Sequence, residues 1–189
     1  RELRAFRVAA STDPYAGRTG LFDRIDRDVL IVFVESYGRA SLDTPYYAEV
    51  HRETLQRNAA RLGDLGLSMT SRLLRAPTQG GQSWLSHATF ANGLWVGDQG
   101  RYGAVLASGR ETLYHLAARS GFHTAAVMPQ ITLAWPEAMV MGFDTILAAK
   151  HLGYQGEPFN WVTMPDQFTY AAMDRLVRGP KEAPDFVQI

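Results

Sequence analysis

Asp28-Val-Leu-Ile-Val-Phe-Val34 carries a continuous apolar, mostly β-branched run. A strand of this kind has no polar face and needs cover on both sides. Helices on both faces of a parallel sheet supply that cover, so the run points to an α/β fold. The rest of the chain alternates accordingly. Thr44-Pro45 reads as an N-cap with proline at the first helical position. Ala48, Leu55, Ala59 and Leu62 then share one helical face, and Gly63 can end the helix. Leu67 to Ala76 reads as a second strand, and Ser83 to Phe90 as a short helix stopped by Gly93. Ser108-Gly-Arg-Glu111 has the form of a capping box ahead of Leu113, Leu116 and Ala117, with Gly121 as the stop. Phe122–Met128 and Phe143–Leu147 follow as strands. Asp166 opens a helix bearing Phe168, Ala172 and Leu176, closed by Gly179-Pro180. The expected architecture is a mainly parallel sheet flanked by helices over residues 28–189, after a polar, irregular lead-in at residues 1–27. Pro184 to Ile189 reads as a buried strand, which suggests a larger domain cut at a central strand.

Charge and cysteine content narrow the function classes. The 19 basic residues are 17 Arg and 2 Lys, balanced by 19 acidic ones. Zero net charge argues against an extended nucleic-acid surface. With no cysteine, disulfides, thiolate metal sites and a cysteine nucleophile are excluded. No apolar run approaches the roughly 18–20 residues that span a bilayer, and no secretory signal is visible. Compartment stays open on these grounds.

The chemistry-bearing stretch is Gly80-Gly-Gln-Ser83-Trp84, a hydroxyl after a glycine pair at a helix start. Helix N-termini favour anions through unpaired N–H groups and the positive dipole end. Ser83 has two readings. It caps the helix, or it is a nucleophile that needs a base or a metal to remove its proton. Gly81-Gln-Ser83-Trp-Leu85 also half-matches the nucleophile elbow G-x-S-x-G, with Leu85 at the second glycine and Pro77 interrupting the approach. Asp144 with His151 is the available acid–histidine pair for that reading. His87 lies one helical turn beyond Ser83 and reads as a packed residue or a ligand-facing one. Glu35, just past the first strand, reads as a surface carboxylate or as a hard-cation ligand. His115 and His123 read as structural, His51 and His151 as surface residues, and Asp144 as a turn residue. Trp84, Trp95, Trp135 and Trp161 read as packing the core and its rims.

The order of these parts resembles the alkaline phosphatase/sulfatase superfamily. The sulfatase pattern C/S-x-P-S-R-A-S-x-x-T-G is matched at Ser83, Ser86, the Ala88-Thr89 pair and Gly93. In nucleotide pyrophosphatase relatives a histidine stands four residues after the nucleophile, as His87 does. Glu35-Ser-Tyr-Gly-Arg39 is similar to the Glu-Ser-Phe/Tyr-Gly of membrane-anchored members such as lipoteichoic acid synthases. Gly142-Phe-Asp144 and Pro165-Asp166 recur in that branch, and the resemblance runs from about residue 28 to the end.

The resemblance implies an alkaline phosphatase-like fold and a divalent ion, zinc, manganese or magnesium. Glu35 and Ser83 would ligate the metal, and Ser83 would attack phosphorus to give a covalent phospho-enzyme. Gln82, Trp84 and His87 would border the substrate, a phosphate or sulfate ester of which a lipid-linked one is an option. The parent protein would be anchored in a bacterial inner membrane with a periplasmic or extracytoplasmic catalytic domain, this piece itself being soluble. Leu85 and His87 replace the proline and arginine on which formylglycine formation depends, which favours phosphoryl or phosphoglycerol transfer over sulfate-ester hydrolysis. The family's Asp-His pair and other ligands fall later than residue 189, so this chain alone is expected to bind metal weakly and to be inactive. The alternatives are a sulfatase, a metal-independent serine esterase, and a non-catalytic module.

Overall fold

The computed structural model describes residues 2–34, 38–160, 162–178 and 182–189. The chain divides into two compact units, Arg1–Phe33 with Trp84–Ile189, and Val34–Ser83. The larger unit is built on four parallel strands, β1 (Val29–Ile31), β2 (His123–Met128), β3 (Thr145–Ala148) and β4 (Asp185–Gln188). Their order is β1-β4-β2-β3, so the last strand in sequence lies between β1 and β2. Phe186 pairs with Val29 on one side and Thr124 on the other. The α/β class expected from the alternating sequence is the class observed.

Strand alternation sends neighbouring side chains of β4 to opposite faces. Val187 joins Ala125, Val127, Leu152, Met164, Ala172, Met173 and Val177 on one face, beneath α7 (Ala149–Leu152) and α8 (Asp166–Leu176). Phe186 joins Ala91, Tyr114, Ala117, Phe122 and Met141 on the other, beneath α4 (Ser83–Asn92) and α6 (Leu113–Arg119). Every residue of β4 is buried. Asp185 and Gln188 are its buried polar residues, and the Gln188 amide oxygen accepts from the Tyr114 hydroxyl. His123 ties the starts of three strands together: Nδ1 lies 2.8 Å from Asp185 Oδ1 and Nε2 2.9 Å from Thr145 Oγ1. That network matches the structural role expected for His123.

Several sequence expectations are corrected. β1 is shorter than residues 28–34 and lies at the end of the described sheet, paired with β4 alone. Leu30 in its middle is 41% exposed, and Val32 and Val34 past its end are 39% and 60% exposed. Residues 67–76 form no strand and stay exposed. An apolar run becomes a strand only where a neighbouring backbone completes its ladder, and none does so here. Residues 1–27 are not irregular throughout: α1 (Glu2–Ser11) buries Ala10 against Leu85, Ala88, Val96, Tyr102 and Val105. α5 (Gln99–Leu106), capped by Asp98 accepting from Arg101 N, is absent from the sequence reading. The capping box sits four residues later than expected, at Thr112 and His115. Ser108 instead closes the end of α5, donating to Val105 O and accepting from Arg110 N.

In the smaller unit, α2 (Ala40–Asp43) leads into α3 (Pro45–Asp64). Pro45 holds the first helical position as expected, but the Thr44 side chain makes no cap bond. The helix runs through Gly63 and stops where Gly66 takes φ +74°. Ala48 is its one buried residue. Gly179-Pro180 lies outside the described residues.

Candidate functional site

The Ser83 segment is set up by its backbone. Gly80 and Gly81 have φ +69° and Gln82 has φ +54°, three left-handed residues in succession. A Cβ built on either glycine meets nothing within 4 Å, so glycine is favoured here by conformation and not by space. Gln82 has no such excuse. A non-glycine residue in this region costs about 1–3 kcal/mol unless its surroundings hold it, and such strain clusters at functional sites.

Ser83 is the first residue of α4 and is half-buried. Its hydroxyl makes no hydrogen bond to another described residue. A capping serine would accept from a backbone N–H two or three residues on, so the capping reading is not what the geometry shows. Gln82 is exposed. Trp84 is 45% exposed and its Nε1 donates to Gln99 Oε1 at 3.2 Å.

Beyond Ser83, α4 is fixed by burial. Leu85 and Ala88 enter the cluster shared with α1 and α5, while Ala91 enters the sheet core. Gly93 ends the helix as expected, its N–H donating to Thr89 O and its φ at +63°. The outward side carries His87, half-buried, with the Phe33 ring centroid 4.1 Å from its own. Phe90 meets the same Phe33 edge-on at 5.6 Å. Phe33 lies two residues past the end of β1, and its N–H donates to Ile189 O. The carboxyl end of β1 therefore lies against the middle of α4, where ligand sites in parallel sheets occur.

Glu35, expected as a metal ligand two residues past Phe33, lies outside the described residues. Among the described residues no three His, Asp or Glu side chains converge on one point. The Ser83 loop does not follow a second strand, because residues 67–76 form none. Asp144 and His151 do not pair. Asp144 Oδ2 accepts from Thr124 N and Oγ1 at 2.8 and 2.9 Å, and His151 Nδ1 accepts from Ala148 N. Trp135 packs on the sheet core, whereas Trp84 and Trp95 are nearly half exposed and Trp161 lies outside the described residues.

The residues most perturbed by burial were not singled out for chemistry by the sequence. Tyr114 is fully buried, which pushes its hydroxyl well above the usual tyrosine range. Burial pulls His115 below its ordinary value, with Asp13 opposing. His115 replaces a more usual Glu or Gln in the capping box, which is why the pattern S/T-x-x-E/Q missed it. No helix among the described residues is long and apolar enough to cross a membrane. Comparison with protein families, with characterised proteins and with solved structures finds no match to this chain.

Proposed function

We propose that Ser83 is the nucleophile of a phosphoryl or phosphoglycerol transferase or hydrolase of the alkaline phosphatase/sulfatase type. One observation carries this reading: three left-handed residues deliver a hydroxyl with no described partner to the first turn of α4. The dipole end and free N–H groups there favour an anionic phosphoryl group. The Ser83 oxygen bonds to phosphorus as the bond to the leaving alkoxide breaks, and its proton passes to solvent or to the leaving group. Water or an acceptor alcohol then displaces Ser83. Gln82, Trp84 and His87 border the ester.

A divalent ion of the zinc, manganese or magnesium class belongs to this reading, with Glu35 and Ser83 among its ligands; when bound it lowers the hydroxyl's pKa. The substrate is a phosphate ester, with a lipid-linked one in scope. In this reading the enzyme is membrane-anchored, with its catalytic domain facing the bacterial periplasm or exterior.

The test is to treat the parent polypeptide with bis(p-nitrophenyl) phosphate and map phosphorylation by mass spectrometry. A p-nitrophenylphosphoryl group on Ser83, with turnover lowered at least about 10³-fold in Ser83→Ala and abolished by EDTA, is the expected result. Turnover that ignores EDTA and leaves an acyl group on Ser83 from a carboxylic ester would establish the serine esterase. Preference for p-nitrophenyl sulfate would establish the sulfatase, and full function in Ser83→Ala a non-catalytic module.

A further inference from the structure

A cavity of about 280 Å³ lies within the larger unit, on the side of α4 formed by Ala88 and Asn92. Its polar lining is Asn92, Tyr102, Arg110, Thr112 and His115; Val105, Leu106, Val140 and Met141 supply apolar wall.

Arg110 is fixed without a counter-ion. Its Nε donates to Asn92 O at 3.0 Å and its Nη1 to Thr12 O at 2.7 Å. Both acceptors are neutral carbonyls, and Arg110 forms no ion pair with any described carboxylate. Its second amine, Nη2, has no described partner. A guanidinium held in this way is preorganised for a planar anion.

His115 is fixed as well. Its Nδ1 accepts from Thr112 N at 3.0 Å, so the hydrogen of the neutral ring sits on Nε2. Thr112 Oγ1 donates to Met141 O, which ties the start of α6 to the cavity wall. Gly142 packs against the ring at Cγ, Nδ1 and Cδ2, the side away from Nε2; a Cβ there would come within 2.7 Å. Nε2–H has no described partner. Asp13 is the acidic group that His115 senses, and its two oxygens already accept from Tyr15 N and Glu111 N.

A fixed cation, a fixed neutral donor and an apolar wall around one small cavity favour an organic anion over an inorganic one. We propose that this cavity is a binding site for a short-chain monocarboxylate, with Arg110 taking the carboxylate and the Leu106, Val140 and Met141 side taking the hydrocarbon. It is separate from Ser83 and does not depend on the phosphotransfer reading.

The probe is sodium butyrate, titrated into the chain and followed by heteronuclear NMR on the methyl groups of Val105, Leu106, Val140 and Met141. A saturable shift of these methyls with a dissociation constant of about 1 mM is expected for so small a ligand. Arg110→Gln should weaken binding about tenfold or more. If Arg110→Gln fails to fold, Val140→Phe, a change at a half-exposed position, blocks the hydrocarbon wall and should abolish the shifts. Absence of saturable shifts in the unaltered chain overturns the proposal, as does unchanged affinity in a folded Arg110→Gln or Val140→Phe chain. Inorganic phosphate or butyramide binding as tightly as butyrate overturns it too, because charge and hydrocarbon would not then be read together.

Discussion

Two apolar stretches of this chain carry similar sequence signals and end in opposite states. Leu67, Met69, Leu73 and Leu74 punctuate residues 67–76, and they are 55%, 57%, 68% and 89% exposed with no ladder. Phe186 and Val187 in β4 are 3% and 0% exposed, with a parallel partner on each side. Local composition therefore did not separate the two. What separates them is supply of backbone partners: β1 and β2 present free edges of matching direction to β4, and hydrogen-bonded neighbours make burial of its N–H and C=O groups affordable. The same contrast holds between units. The larger one has three apolar clusters, whereas α3 in the smaller one buries Ala48 alone.

The sharpest way to break this comparison is a pair of truncations. Phe186 stacks with Phe22 and meets Tyr114 and Phe122 edge-on. Phe186→Ala should destabilise the larger unit by about 3–5 kcal/mol, through lost transfer energy plus the cavity left behind. Leu74→Ala should change stability by less than about 0.5 kcal/mol, the range of exposed positions. Urea denaturation followed by tryptophan fluorescence reads both. Comparable losses would mean that residues 67–76 are covered in solution and that the contrast is false.

Much of the larger unit was legible because its signals are local and agree with one another. β2, β3, β4, α4, α6 and α8 all fall where apolar periodicity and turn residues put them, to within a few residues. The failures were non-local. Nothing in Leu67–Ala76 states that no neighbour will pair with it, and nothing in Val29–Val34 states that one side of β1 is left unpaired by the described strands. α1 was missed because its apolar contribution is small, Phe6 and Ala10, and matters only against α5. The candidate site was legible at Ser83 through its glycines. The left-handed Gln82 was not, since glutamine carries no signal for that conformation.

That turn gives a smaller prediction with opposite signs at adjacent positions. Gly81→Ala should cost about 1 kcal/mol by placing a Cβ in a left-handed residue, even though the Cβ meets no atom. Gln82→Gly should stabilise by up to about 1 kcal/mol by removing that penalty. Thermal midpoints measured on both variants test it. If the two changes shift stability in the same direction, the left-handed turn is not the conformation in solution, and the backbone case for Ser83 as a nucleophile falls with it.

The smallest effect concerns pH and belongs to the densely packed unit. Burial holds His115 below its ordinary value of 6.5, and the Asp13 charge offsets part of that shift. Between pH 6.5 and the lower folded-state value, the unfolded chain binds a proton that the folded chain does not. Stability therefore is full above pH 6.5 and falls as pH drops through this window. The physical cost lies in charging a ring that packs on Gly142 and whose Nδ1 must stop accepting from Thr112 N. His115→Gln removes the titration, so its thermal midpoint should depend less on pH between neutrality and the mildly acidic range. The comparison is slope against slope, which removes the baseline loss from the altered cap. An unchanged slope would assign the acid sensitivity to other groups and would show that the packing around α6 opens readily enough to hydrate the ring. The dense unit would then be less distinct from residues 67–76 than its burial implies.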